Sequence, residues 1–322
     1  MTPSRHHVLL GTLNGALALI LLHLALNTSD TSAVAAWAPP ADLPWTSPSW
    51  FPEEQAEELW VLEHLDGDGT LEGSPPRVRA RAAIVADLDR GEVLYAYNAD
   101  APYPVASLTK MVSGLALASA QPDLTEELCV SYEQWPSRPG AKSRFDTGSC
   151  HEGWEYLGAA LVASDNRGAM AFPALAGLSY DAFIDRMDEV SSELGMGAAT
   201  WADPSGLEDD NMATARDMLK AVVAVAAHPD LAAAASAPFW EIDRPKGKRR
   251  LGTTNRLRDR WETLAAKTGY TDTARYCYAT AGRTSSGRRL GVVVLGANTK
   301  QSRFDIAWQL IHWAERDRPH GS

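Results

Sequence analysis

Lysine is scarce in this chain, seven in 322 residues, and cysteine is scarcer, with three. Acids outnumber bases to a net charge of −11. So few lysines cannot build a broad cationic face, which excludes a nucleic-acid partner. Three cysteines are too few for a disulfide-dense scaffold. The eight histidines, at 6, 7, 23, 64, 151, 228, 312 and 320, are scattered and form no His-Glu-x-x-His pair, so no metal is expected. A Gly-x-Ser-x-Gly elbow and a phosphate-binding glycine loop are also missing, and no cofactor is implied.

Long apolar runs are missing too, with one exception. Val8 to Leu26, behind Arg5, His6 and His7, is interrupted only by Asn14, His23 and small residues and is just long enough to cross a bilayer. Ala33-Val34-Ala35 offers a cleavage site a few residues on, so residues 1–35 read as a cleaved signal peptide or an uncleaved membrane anchor. In both readings the rest of the protein is exported. Residues 36–76 read as a Pro/Trp-rich and then acidic linker, and 77–318 as one catalytic domain. Within the linker, Asp66-Gly67-Asp68-Gly69-Thr70 resembles part of a calcium loop. The register that uses both aspartates puts His64 first and Pro75 last, and both end ligands are lost.

In an oxidising compartment Cys129 and Cys150, flanking a Pro/Gly-containing loop, either pair or remain two thiols. Cys277, in a Tyr-Cys-Tyr stretch, is expected to be a buried small apolar residue. The one basic run, Arg244 to Arg250, reads as a hairpin tip around Gly247. The alternating patterns predict a short helix over 53–65, a hairpin over 79–97 and a helix starting near Ser107. Helices are then expected over 156–176 and 213–227, followed by strands at 239–243, 249–253, 264–267, 274–281 and 290–295 and a closing helix over 303–316. Strands at both ends with helices between give an α+β fold.

Three short islands carry the chemistry: Ser107-Leu108-Thr109-Lys110, Ser164-Asp165-Asn166 and Lys267-Thr268-Gly269. Two of the seven lysines fall in them. A serine hydroxyl needs a base within reach, and three residues along a helix put Lys110 one turn from Ser107 on the same face. For Lys110 to accept a proton it must be neutral, which burial and the nearby charge of Lys267 would favour.

The three islands, with Tyr103-Pro104-Val105-Ala106 ahead of the first, Asp203-Pro204-Ser205-Gly206-Leu207, Thr214-Ala215-Arg216-Asp217 and Gly269-Tyr270-Thr271-Asp272, resemble the low-molecular-mass penicillin-binding proteins that act as serine D-alanyl-D-alanine carboxypeptidases. The match runs from about Arg79 to Arg316. It implies an antiparallel five-stranded sheet with helices on its faces and a helical lobe. It also implies removal of the terminal D-Ala from peptidoglycan stem peptides ending in D-Ala-D-Ala, with β-lactam antibiotics as covalent inhibitors.

On that resemblance Ser107 is the nucleophile, Lys110 its base and Ser164 a proton relay, while Asn166 orients the substrate amide and Asp165 faces away. Lys267, Thr268 and Arg303 hold the substrate's C-terminal carboxylate. Gly269 leaves room for a strand-like substrate, and the backbone N–H groups of Ser107 and Tyr270 form the oxyanion hole. The middle island is Ser-Asp-Asn where many such carboxypeptidases have Ser-Gly-Asn, which admits a β-lactamase-like hydrolase. No Glu-x-x-Leu-Asn loop follows in 195–215. The same islands would also serve a DD-endopeptidase acting on cross-links, and the fold kept without its chemistry would be a non-catalytic wall-binding protein.

Overall fold

The computed structural model describes residues 48–69, 75–131 and 143–316. The apolar run 8–26, the cleavage site 33–35, most of the stretch 36–52 and Thr70 lie outside the described residues. From Glu53 one α-turn (Glu53–Ala56) passes into a 3₁₀ helix (Glu57–His64), the two-part form of the helix expected there. This stretch departs from the linker reading, because Trp50, Phe51, Leu59, Trp60, Val61, Leu62 and Leu65 are all buried in the largest hydrophobic cluster. Burying that much apolar surface is worth several kcal/mol, so the segment belongs to the domain.

The turn that resembles a calcium loop takes its positive charge from side chains. Asp66 accepts a hydrogen bond from Lys220 at 3.1 Å, and the carbonyls of Leu65 and Gly67 accept from Arg216.

Strands β1 (Ala82–Asp87) and β2 (Glu92–Tyr97) form the expected hairpin, and a short β3 (Tyr103–Pro104) leads into the helix Thr109–Ser119. Next come a small hairpin, β4 (Glu127–Cys129) and β5 (Cys150–Glu152), and the helices Gly153–Val162, Asn166–Met170, Phe172–Leu175 and Tyr180–Glu193. After β6 (Met212–Ala213) run the helices Ala215–Ala227 and Pro229–Ser236. The hairpin β7 (Phe239–Arg244) and β8 (Gly247–Gly252) places the basic run at its tip, as expected from the sequence. Strands β9 (Glu262–Thr271), β10 (Arg275–Arg283) and β11 (Arg289–Ala297) and the helix Ser302–Arg316 complete the chain.

The main sheet is antiparallel and five-stranded, in the order β2-β1-β11-β10-β9, an α+β architecture. Its two faces are read directly from alternate residues. Ala82, Ile84, Ala86, Val293 and Leu295 pack with the helical lobe and the helix Ala215–Ala227. Ala83, Val85, Val292 and Val294 pack against Phe304, Leu310 and Ile311 of the last helix. Both faces are covered, which is why β1 is buried at every position. A third cluster, including Phe145, Tyr156 and Ile242, holds the β7–β8 hairpin to the helix Gly153–Val162.

Cys129 and Cys150 face each other across β4 and β5 and are joined in a disulfide. Cys277 is free and buried, as expected.

Candidate active site

Ser107 sits in the 3₁₀ turn Ala106–Leu108 that opens the helix Thr109–Ser119. Ala106 takes a left-handed backbone with φ 51°, which costs a non-glycine residue on the order of 1 kcal/mol and persists only where neighbours enforce it. Two glycines do so. A Cβ on Gly206, itself at φ +78°, would stand 2.1 Å from the Ala106 carbonyl oxygen. One on Gly269 would stand 2.7 Å from the Val105 oxygen and 3.2 Å from the Ser107 nitrogen. Gly269 therefore lets β9 lie against the backbone of the nucleophile turn, a tighter constraint than leaving room for substrate.

Lys110 is completely buried, and its Nζ lies 3.0 Å from Ser107 Oγ and 2.8 Å from Asn166 Oδ1 and also contacts the Ser205 carbonyl. A neutral amine has two N–H donors and one lone pair. Asn166 Oδ1 and the Ser205 oxygen can take the two donors, which aims the lone pair at the Ser107 hydroxyl. Burial pulls Lys110 down to about 8, against the upward pull of Asp203 and Asp165.

The carbonyl that Lys110 meets is held by Asp203, whose Oδ1 accepts from Ser205 N and Oγ at 2.5 Å and Gly206 N at 2.8 Å. Its Oδ2 accepts from Glu208 N at 2.6 Å and Asn211 Nδ2 at 2.9 Å. The sequence counts Asp203-Pro204-Ser205-Gly206-Leu207 among the residues that carry the resemblance but gives it no role, because a backbone acceptor leaves no trace in residue type.

The expected helix 156–176 is broken at the middle island. Ser164 has φ 58°, and Asp165 caps the next helix by accepting from Gly168 N at 3.1 Å. Asp165 also accepts from Ser143 Oγ at 2.9 Å and Arg144 N at 2.7 Å, so it braces the turn from behind. Ser164 and Asn166 are thereby turned to the cleft. Ser164 Oγ accepts from Lys267 Nζ at 2.8 Å, and Lys267 also donates to the Thr268 carbonyl at 2.9 Å. Lys267 lies well below the usual lysine range, first through burial and then through the charges of Lys110 and Arg303. From the sequence, Lys267 is expected to lower Lys110; in the structure the two amines oppose each other's protonation, while Lys110 also feels the opposing pull of Asp203 and Asp165.

Above these lysines opens a cleft of about 790 Å³. Ser107, Ser164, Asn166, Thr268, Gly269, Tyr270 and Arg303 line it, and Lys110 and Lys267 lie buried beneath. Lys267 thus reaches the cleft through Ser164 rather than by lining it. Arg303 is buried at the start of the last helix, and its Nη1 donates to the carbonyls of Gly269 at 2.9 Å and Cys277 at 3.2 Å. Burial lowers it to about 10, still charged near neutral pH. Thr268 Oγ1 donates to Thr254 Oγ1 at 2.8 Å. The Tyr270 side chain turns outward, its hydroxyl bonded to Asp272 at 2.7 Å and its ring 4.4 Å from that of Tyr276. Arg144, Thr254, Arg256 and Lys300 also line the cleft, and the sequence nominates none of them.

Among known proteins, the family model described as D-alanyl-D-alanine carboxypeptidase matches residues 70–299. A D-alanyl-D-alanine endopeptidase of Escherichia coli is 29% identical over 246 residues, 75% of this chain and 79% of that protein. A D-alanyl-D-alanine carboxypeptidase from Mycobacterium tuberculosis shares the fold with a TM-score of 0.72 at 24% identity, over 80% of this chain and 98% of that one. Penicillin-binding protein D2 from Listeria monocytogenes, solved in an ampicillin-bound form, gives a TM-score of 0.66 at 28% identity over 76% of this chain and 100% of that one.

Proposed function

This chain belongs to the D-alanyl-D-alanine carboxypeptidase family, and from that premise we propose that it is a serine DD-peptidase that removes the terminal D-Ala from peptidoglycan stem peptides through a Ser107 acyl-enzyme. The observation that carries this reading is the buried Lys110 amine 3.0 Å from the Ser107 hydroxyl, with its other partners uncharged. Ser107 Oγ attacks the carbonyl of the penultimate D-Ala, and its proton passes to Lys110 Nζ. Breaking the C–N bond requires a proton on the leaving amine, and the proton taken up by Lys110 passes to it through Ser164, which lines the cleft with Lys267 behind it. The N–H groups of Ser107 and Tyr270 stabilise the oxyanion. Thr268 and Arg303, with Lys267 behind them, hold the leaving residue's carboxylate. Water then hydrolyses the ester and restores Ser107.

The same residues accept β-lactams as acylating inhibitors, because a β-lactam offers a strained amide and a carboxylate to the same two subsites. Ampicillin in the Listeria structure supports that reading. The protein acts outside the cytoplasm, delivered by residues 8–26 as anchor or signal.

A second reading, cleavage of cross-links between stem peptides, is favoured by the Escherichia coli relative, which is an endopeptidase and is matched over 79% of its length. Purified pentapeptide and cross-linked muropeptides incubated with the protein decide between them by mass. Loss of one alanine marks carboxypeptidase action, and loss of a cross-link marks endopeptidase action. Either product persisting in Ser107→Ala would overturn the serine mechanism.

A further inference from the structure

The cleft carries more positive charge than one terminal carboxylate can use. Among the described residues its lining includes four cationic side chains, Arg144, Arg256, Lys300 and Arg303, and no acidic one, in a chain whose net charge is −11. Arg144 is accounted for in part by Asp165 at 3.7 Å. Arg256, Lys300 and Arg303 have no carboxylate partner among the described residues. Arg256 is steadied instead by a neutral amide, donating to Gln301 Oε1 at 3.1 Å, and Gln301 in turn donates to Asp305 at 3.0 Å. The guanidinium is therefore oriented without being neutralised.

These charges gather at one end of the cleft. Arg256 follows Thr253 and Thr254, and Thr254 accepts from Thr268. Lys300 lies just ahead of the helix that begins at Ser302 and carries Arg303. That end is where the proposed reading puts the leaving residue, and this inference rests on that reading. One carboxylate occupies Thr268 and Arg303, and two cations remain beside it.

We infer that Arg256 and Lys300 bind a second carboxylate on the leaving side of the scissile bond, so that the preferred leaving group is a dicarboxylic one. A lone terminal alanine supplies one carboxylate only. The acceptor strand of a cross-link, an acidic peptide released through its amine, supplies more than one. The geometry thus favours a substrate with an anionic leaving strand, and a second acid a few bonds from the first, as in a glutamate-like dicarboxylate, is what the guanidinium and ammonium would recognise.

Three soluble N-acylated peptides ending in D-Ala-D-Ala, D-Ala-D-Gln and D-Ala-D-Glu test this with the full chain. The D-Glu peptide is expected to exceed its D-Gln isostere about tenfold in kcat/KM at low ionic strength, with the ratio shrinking in ~0.5 M salt. In the double variant Arg256→Gln, Lys300→Gln the ratio should fall to about one, and a melting curve checks that the variant is folded. A wild-type ratio near one, or a ratio unchanged in the variant, overturns the inference. Failure of the serine-peptidase reading is separate: it would show as no cleavage of the D-Ala-D-Ala peptide by the wild type.

Discussion

Lys110 and Lys267 beneath the cleft, and Arg216 and Lys220 on the helix Ala215–Ala227, are all at most 6% exposed, yet they are partnered in opposite ways. On the helix, Arg216 grips both oxygens of Asp100, at 2.7 and 3.0 Å, and Lys220 meets Asp66 at 3.1 Å. Asp100 holds the guanidinium above its ordinary value. Under the cleft the two amines touch only hydroxyls, carbonyls and an amide, and both lie below the usual lysine range. The carboxylates that act on Lys110 are already committed: Asp203 to five donors of its own turn, and Asp165 to its cap and to Ser143 and Arg144. A buried cation given an acid is a structural cross-link. One denied an acid becomes a base.

Exchanging buried cations of both regions for methionine sharpens that contrast. Lys110→Met should slow acylation by a fluorescent penicillin at least ~10³-fold while leaving the melting temperature unchanged or higher, because a desolvated amine is replaced by an apolar group of similar length. Acylation at the wild-type rate would break the comparison at its centre. Arg216→Met should cost about 3 kcal/mol in a denaturant titration, since the carbonyls of Leu65 and Gly67 and the Asp100 carboxylate lose their donor together. Its folded fraction should still acylate normally.

The pH profile comes next in size. A lowered lysine pKa means the neutral form fills as pH rises, so acylation should climb about tenfold from about pH 7, half-maximal near about 8 and level above about 9. A rate that falls over that range would show that Lys110 is not the base. Smallest is Lys220→Met, expected to lose about 1 kcal/mol because Asp66 is largely exposed, with activity within about twofold of wild type. A large loss of acylation there would erase the distinction between the two regions.

Most of this site was legible because it depends on residue types at fixed spacing. Ser107 and Lys110 declare a shared helix face, and Lys267 ends the strand-like run 264–267, which the structure extends to Glu262–Thr271 and so over Thr268 and Gly269, as ladder pairing with β10 outweighs local preference. The five-stranded sheet and the covering helices followed from period and from resemblance.

What escaped had no such mark. The Ser205 carbonyl that steadies Lys110 belongs to the backbone, and Asp203 enters the sequence reading only as part of a matching motif with no role of its own. The helix expected over 156–176 is broken by a left-handed Ser164, a conformation that tertiary contacts impose and composition does not announce. Arg256 and Lys300 look like surface charges until the fold brings them to one rim. The 36–76 stretch reads as a tether from its Pro/Trp-rich and then acidic composition, although Trp50, Phe51, Leu59, Trp60, Val61, Leu62 and Leu65 pack as core.

Neighbouring residues of β9 take different positions, since Lys267 donates to Ser164 from beneath the cleft while Thr268 opens to it. Their pairing with Ala279 and Tyr278 fixes which is which. A single codon inserted or deleted ahead of Lys267 would exchange the two jobs and empty both posts at once. At the other end of β10, the turn of Thr284 to Gly287 lies away from the cleft and can lengthen or shorten without touching either post. Tolerance of indels along this hairpin is therefore expected to be lopsided, nil on the Lys267 side and generous at the far bend.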